Sequence, residues 1–182
     1  MNIHDVGRGI AGACLVLLLL APGASAQRLG SADPRPADVG SLDGIVAAFY
    51  DVISVPPGGR VDWARDSTLY LAGVTFTIMG RAPDGGWLAR RVDHGTYAAE
   101  SNDFLSSGFR ETEIHREVHR FGPMAQVFST YEWRRTADSP VGGRGINSMQ
   151  IVHDGGRWWI VSVMWTSEDD DNPVPARFLP RD

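Results

Sequence analysis

Lysine is missing from this chain altogether: all seventeen basic residues are arginines. That excludes Schiff-base chemistry and the phosphate-binding Gly-rich loop that ends in lysine. Cysteine is nearly missing too, with Cys14 the single example. Once an N-terminal leader is removed, nothing remains for a disulfide, a thiol nucleophile or a thiolate metal ligand, even in an oxidising compartment. No run of basic residues occurs and the formal charge is −5. Nucleic acid and anionic membrane are therefore poor partners. No G-x-S-x-G elbow is present, and the run Gly142-Gly143-Arg144-Gly145 lacks the strand-then-helix context of a dinucleotide fingerprint, so it reads as a flexible hairpin loop.

What is present begins with a leader. Arg8 precedes an apolar run from about Ile10 to Ala21, and Ala24-Ser25-Ala26 follows. This is the layout of a secretory signal peptide cleaved after Ala26, and the run is too short to span a bilayer. The expectation is a periplasmic or secreted protein starting at Gln27. Its plan is a polar, Pro-rich lead-in to residue 40, one domain over residues 41–168 and an acidic, Pro-rich tail over 169–182. Six tryptophans, all beyond the leader, suggest an aromatic core or pocket.

Helical spacing of Leu42, Ile45, Val46, Phe49, Tyr50 and Ile53 behind Ser41 predicts a capped helix ended by Val55-Pro56-Pro57-Gly58-Gly59. A short helix near 61–68, capped around Asp62, a strand over 69–79 and a second strand over 87–92 follow. Residues 94–107 read as another helix. From Phe109 the period becomes two, and strands are predicted over 109–121, 124–136, 145–153 and 157–166. Helices followed by a long antiparallel run predict an α+β fold in which a curved sheet wraps about three helices.

The segments AAFYDVIS, STLYLAGVTF, FGPMAQVFSTYEWRR and GRGINSMQIVHDGGRWWIVSVMW, in this order, resemble the cone-shaped α+β barrel of the nuclear transport factor 2-like superfamily. Ketosteroid isomerase and SnoaL-like cyclases share that fold. The resemblance covers residues 41–167 and is most like small secreted bacterial members. It implies a mostly apolar pocket between the inner sheet face and the helices, and an outer sheet face that often forms a homodimer. The leader argues against any role in nuclear transport.

EIHREVHR, residues 113–120, mimics the two-histidine pair of a zinc helix. The segment must instead pair with Met124–Thr136 across Gly122-Pro123, which makes it a strand. His115 and His119 then lie about 13 Å apart, too far for one metal. No metal and no cofactor are expected. In strict alternation Glu111, Glu113, His115, Glu117 and His119 share the outer face, with a Glu111–Arg134 ion pair across strands. Ile114, Val118, Ala125, Val127, Ser129, Tyr131 and Trp133 line the cone.

The expected ligand-binding residues are Tyr50, Trp63, Tyr70, Tyr97, Tyr131 and Trp133, with Ser148, Gln150 and Ser162 as polar contacts. Ordinary core packing is the plainer reading of each. Acid–base chemistry needs a carboxylate or histidine inside the apolar cone. The strands offer none there: Ile78 stands near where a steroid-isomerase-like base would be, and the last two strands carry no carboxylate or histidine. His94 beside Asp93 is a weak catalytic pair, with Asp93 as a helix cap and His94 facing solvent as its plainer reading, and Tyr50 is an oxyanion donor without a base. Three functions stay open. They are a secreted binder of a small apolar or aromatic molecule, an isomerase, dehydratase or cyclase, and an accessory dimer with a filled core. The absent interior base favours the first and third.

Overall fold

The structure, a computed structural model, describes residues 28–181; the expected signal peptide, 1–26, lies outside the described residues. The chain runs α1 (Pro36–Val39), α2 (Leu42–Ile53), α3 (Trp63–Ser67), β1 (Tyr70–Arg81), β2 (Trp87–Val92), α4 (His94–Ser106), β3 (Arg110–Phe121), β4 (Met124–Arg134), β5 (Gly143–Asp154) and β6 (Arg157–Ser167). Capping follows the sequence: Ser41, Asp62 and Asp93 accept from the backbone N–H of Gly44, Arg65 and Thr96, satisfying donors the first helical turn leaves free.

Six strands form one curved mixed sheet in the order β2-β1-β6-β5-β4-β3. Only the β1–β6 pair is parallel. The sheet does not close, so the architecture is an open α+β cone rather than a sealed barrel. Between β5 and β6 the chain reverses through Gly155 and Gly156, both at positive φ (58° and 80°), the conformation that a two-residue hairpin turn demands.

The core lies between α2 and the concave sheet face. Ile45, Val46, Phe49 and Ile53 of α2 are buried against Phe76, Val127, Met149, Ile151, Ile160 and Val163, each side chain contributing about 1.5–3 kcal/mol on removal from water. The lead-in is tied down by charge. Arg65 makes a bidentate pair with the buried Asp38 of α1 (2.8 and 3.0 Å) and reaches Asp51 at 2.6 Å. On the convex face the tail folds back: Phe178, in a 3-10 turn over Ala176–Phe178, packs its ring at a tilt against Phe128 and accepts from Thr130 Oγ1 through its carbonyl.

Candidate functional site

Strict alternation fails at one residue, and the site depends on it. His119 opposes Gln126, Glu117 opposes Phe128 and His115 opposes Thr130, but the next pair is Glu113 with Tyr131. Ile114 is an extra residue, a β-bulge, and it exchanges the two faces of β3. N-terminal to it, Glu111 and Glu113 turn toward the concave side with Trp133, Tyr131 and Ser129; beyond it, His115, Glu117 and His119 stay outside. The expected outer position of Glu111 is thus overturned. The expected Glu111–Arg134 pair does not form, because Arg110 takes the place opposite Arg134, whose own carboxylate partner is Glu132.

Glu111 now faces the interior. Its Oε1 accepts from Asn147 Nδ2 at 3.0 Å, and its second oxygen has no protein partner and is open to a cavity. Burial pushes this carboxyl up to about 7, against an ordinary value near 4.5, and the Asn147 hydrogen bond offsets only part of the rise. No arginine or histidine offsets it.

Behind Asn147 runs a one-way chain of hydrogen bonds. Asn147 also donates to Tyr50 Oη at 3.2 Å, so the Tyr50 proton goes to Ser129 Oγ, 2.6 Å away. Ser129 in turn donates to Glu113, which Arg116 holds bidentately at 2.8 and 2.5 Å while also donating to Asp43 of α2 at 2.6 Å. Glu113 therefore has its counter-charge and Glu111 has none. The chain fixes the Asn147 amide, and through it one oxygen of Glu111, but an amide link does not relay protons.

The cavity measures about 370 Å³, within the range of small-molecule sites. Its wall carries two aromatic groups. Phe76 stacks on Tyr97 at 4.5 Å, with Trp165 edge-on to both at 6.5 and 6.0 Å. Phe104, Phe109 and Trp133 meet at 5.4–5.6 Å. Tyr131 stands between them on the sheet, bonded to Ser167 at 3.1 Å. Burial, with Glu111 adding to it, raises the Tyr131 phenol to about 12 and the Tyr50 and Tyr97 phenols further, so all three remain protonated donors at neutral pH.

Gly142, in the β4–β5 connection, and Gly145, inside β5, press against two residues of this wall. A Cβ on Gly142 would sit 2.5 Å from the Trp133 ring, and one on Gly145 would sit 2.5 Å from Tyr131 Oη. The run that reads as a mere flexible loop is the seat on which two cavity aromatics rest.

No protein-family model matches the sequence, and no curated protein sequence matches it. Solved structures do. A cystatin-like-fold protein of unknown function from Nostoc punctiforme superimposes with a TM-score of 0.55 at 11% identity, over 71% of this chain and 90% of its own. A nuclear transport factor 2-like protein of unknown function from Pseudomonas putida gives 0.54 at 13% identity, over 76% and 94%. The chain has the nuclear transport factor 2-like fold. At such identities the likeness carries the architecture and no activity.

Within this nuclear transport factor 2-like cone, Tyr97, Tyr131 and Trp133 line the cavity as expected. Tyr50 stands one layer behind, holding Asn147. Trp63 and Tyr70 are not in its lining: Trp63, half-buried, packs edge-on against Tyr97 and donates to Asn102, and Tyr70 is fully buried with its hydroxyl on Asp66. Ser148, Gln150 and Ser162 do not reach the cone, because the inner positions of β5 are Gly145, Asn147, Met149 and Ile151. Gln150 is exposed, paired with Ser162 across β5–β6, and Ser148 lines a separate outer depression of about 320 Å³ beneath the tail.

His94 and Asp93 do not pair. Asp93 is an exposed cap, whereas His94 turns inward, Nε2 lying 2.6 Å from Oδ2 of the fully buried Asp66, and joins α4 to α3 behind the aromatic wall. Neither lines the cavity. Among the described residues, no three His, Cys, Asp or Glu side chains converge as metal ligands.

Proposed function

We propose that the cone binds a small, mostly apolar or aromatic molecule, its rings held by the two aromatic groups and one polar group held by Glu111 and Asn147. The observation that carries this is the free oxygen of Glu111 opening into a cavity of about 370 Å³ walled by aromatic side chains. A filled core, the accessory alternative, would leave no such space. The test is native mass spectrometry of the protein purified from its own producing cells, compared with a denatured control. A co-purifying mass lost on denaturation supports the reading. An empty protein that also fails to take up the neutral fluorophore N-phenyl-1-naphthylamine overturns it.

A second reading rests on a different property of the same residue. A carboxyl held near 7 is suited to accept a proton at neutral pH, and protonated Tyr97 and Tyr131 hydroxyls lie on the same cavity wall to stabilise an enolate. An isomerase, dehydratase or cyclase would need this set, with Glu111 in the role that the sequence offered to His94 or Asp93. Turnover of any co-purified compound that vanishes in Glu111→Gln while binding persists would favour catalysis; unchanged turnover would remove it. As to location, the leader and its apolar run support export, and the mature protein should start at Gln27. A Met1 start found in the cytosol would refute that.

A further inference from the structure

We infer that the molecule held in the cone is an organic cation, an ammonium carried on an apolar or aromatic skeleton. This rests on the ligand-binding reading above and names the charge of what binds. The starting observation is the imbalance of charge in the cavity wall. Glu111 is its one ionisable carboxylate, and arginine, histidine and lysine are absent from the lining. The same strand offers a contrast two residues on, where Glu113 is neutralised bidentately by Arg116 and also receives Ser129. Glu111 has a single amide donor and one oxygen left over.

Three kinds of polar group could meet that oxygen. An anion would be repelled at short range by the ionised carboxylate. A neutral hydroxyl would supply one hydrogen bond and leave the charge uncompensated. A cation supplies the missing counter-charge, and it is also the one group that the remaining wall attracts, since aromatic rings draw cations through their quadrupoles. Two of these rings already hold one: the Arg135 guanidinium lies 4.5 Å from the Phe104 ring centroid and 5.2 Å from that of Trp133. That arginine is tied to the α4 end by Ser107 Oγ and the Gly108 carbonyl at 2.7 and 3.1 Å. It does not reach Glu111, so once that carboxyl is ionised the cavity carries a negative charge with no protein counter-ion. The chain's overall charge of −5 adds a weak long-range attraction for a cation.

The experiment compares two probes of the same shape, phenyltrimethylammonium and tert-butylbenzene, which differ in charge. Binding is followed at pH 8 through the change in total tryptophan fluorescence, to which the cavity residues Trp133 and Trp165 contribute, in the wild-type protein and in Glu111→Gln. The cation should bind at least tenfold more tightly than the neutral probe, and Glu111→Gln should remove most of that preference while leaving tert-butylbenzene binding within about twofold. Equal or tighter binding of tert-butylbenzene by the wild-type protein overturns the cation inference and leaves the ligand-binding reading standing. A preference for the cation that survives intact in Glu111→Gln overturns the assignment to this carboxylate. If neither probe binds, the inference falls, and the ligand-binding reading falls with it when N-phenyl-1-naphthylamine is not taken up either. Circular dichroism of Glu111→Gln guards against a folding defect, and Trp165→Leu, which removes a ring and no charge, should weaken the cation more than its neutral twin.

Discussion

Glu111→Gln should make the protein more stable, and increasingly so as pH rises. In the folded chain burial holds the Glu111 carboxyl near 7, whereas unfolding returns it to an ordinary value near 4.5. Below the lower value the carboxyl is protonated in both states and contributes no difference. Between the two, the folded state binds more protons than the unfolded one, so stability falls as pH rises. At about 1.4 kcal/mol per pH unit, the loss across the interval comes to about 3 kcal/mol and is complete by pH 8. The substituted amide would still accept from Asn147 but would have no charge to desolvate. The variant should therefore match the wild-type protein near pH 4.5 and exceed it by about 2–3 kcal/mol at pH 8. For a domain of this size that is a rise in melting temperature of roughly 5–10 °C. The assay is urea denaturation at half-unit pH intervals from 4.5 to 8.5, using the difference between the two proteins so that titration of the histidines cancels. Parallel curves, or a variant less stable at pH 8, would refute the claim that Glu111 is a desolvated and uncompensated carboxyl.

His94→Ala should cost about 1–3 kcal/mol in urea denaturation, because it strips the fully buried Asp66 of its 2.6 Å partner and leaves it only the Tyr70 hydroxyl; a loss under about 0.5 kcal/mol would show that the contact does not join α4 to α3. Gly142→Ala should push the Trp133 ring, shift tryptophan emission and weaken uptake of an apolar probe several-fold. Gly80→Ala, where an added Cβ meets nothing within 4 Å, should leave both unchanged, and equal behaviour of the two variants would refute the seat. Asn147→Leu should abolish the support of Glu111 and Tyr50 together, costing about 1–3 kcal/mol for the polar groups left unpaired, as read from the denaturation midpoint.

Much of the architecture is legible in the sequence because it follows from period and punctuation. The caps at Ser41, Asp62 and Asp93, the Gly122-Pro123 turn and the change to period two at Phe109 are local signals, and each element they delimit is present. The aromatic side of the site is partly legible for the same reason: Tyr131 and Trp133 share a parity with Val127 and Ala125, which a strand turns to one face. Parity misleads on β5, where the polar side chains Ser148 and Gln150 look like inner contacts although Asn147, Met149 and Ile151 form the buried set. His94 escapes for another reason. Its partner, Asp66, is 28 residues away, and no local spacing reports a contact between two helices.

Glu111 is the costly miss, and its cause is physical rather than statistical. From a two-residue turn, unbroken pairing carries Glu111 to the outer face opposite Arg134, where an exposed ion pair would be worth less than about 1 kcal/mol and do no chemistry. One extra residue moves the same carboxylate into an aromatic cavity, where it goes without a counter-ion. The sequence does contain a trace of that shift. Phe109 is apolar at an odd position, whereas Ile114 and Val118 are apolar at even ones, so no single phase buries all three. Phe109 is in fact buried, and Val118 pairs with the inner Val127, which requires the faces to exchange between them. Such a break in parity is slight, but it marks where a strand is bent, and bends of this kind re-aim side chains. Here the residue that defeats the simple pattern, Ile114, is the one that places Glu111 in the cavity.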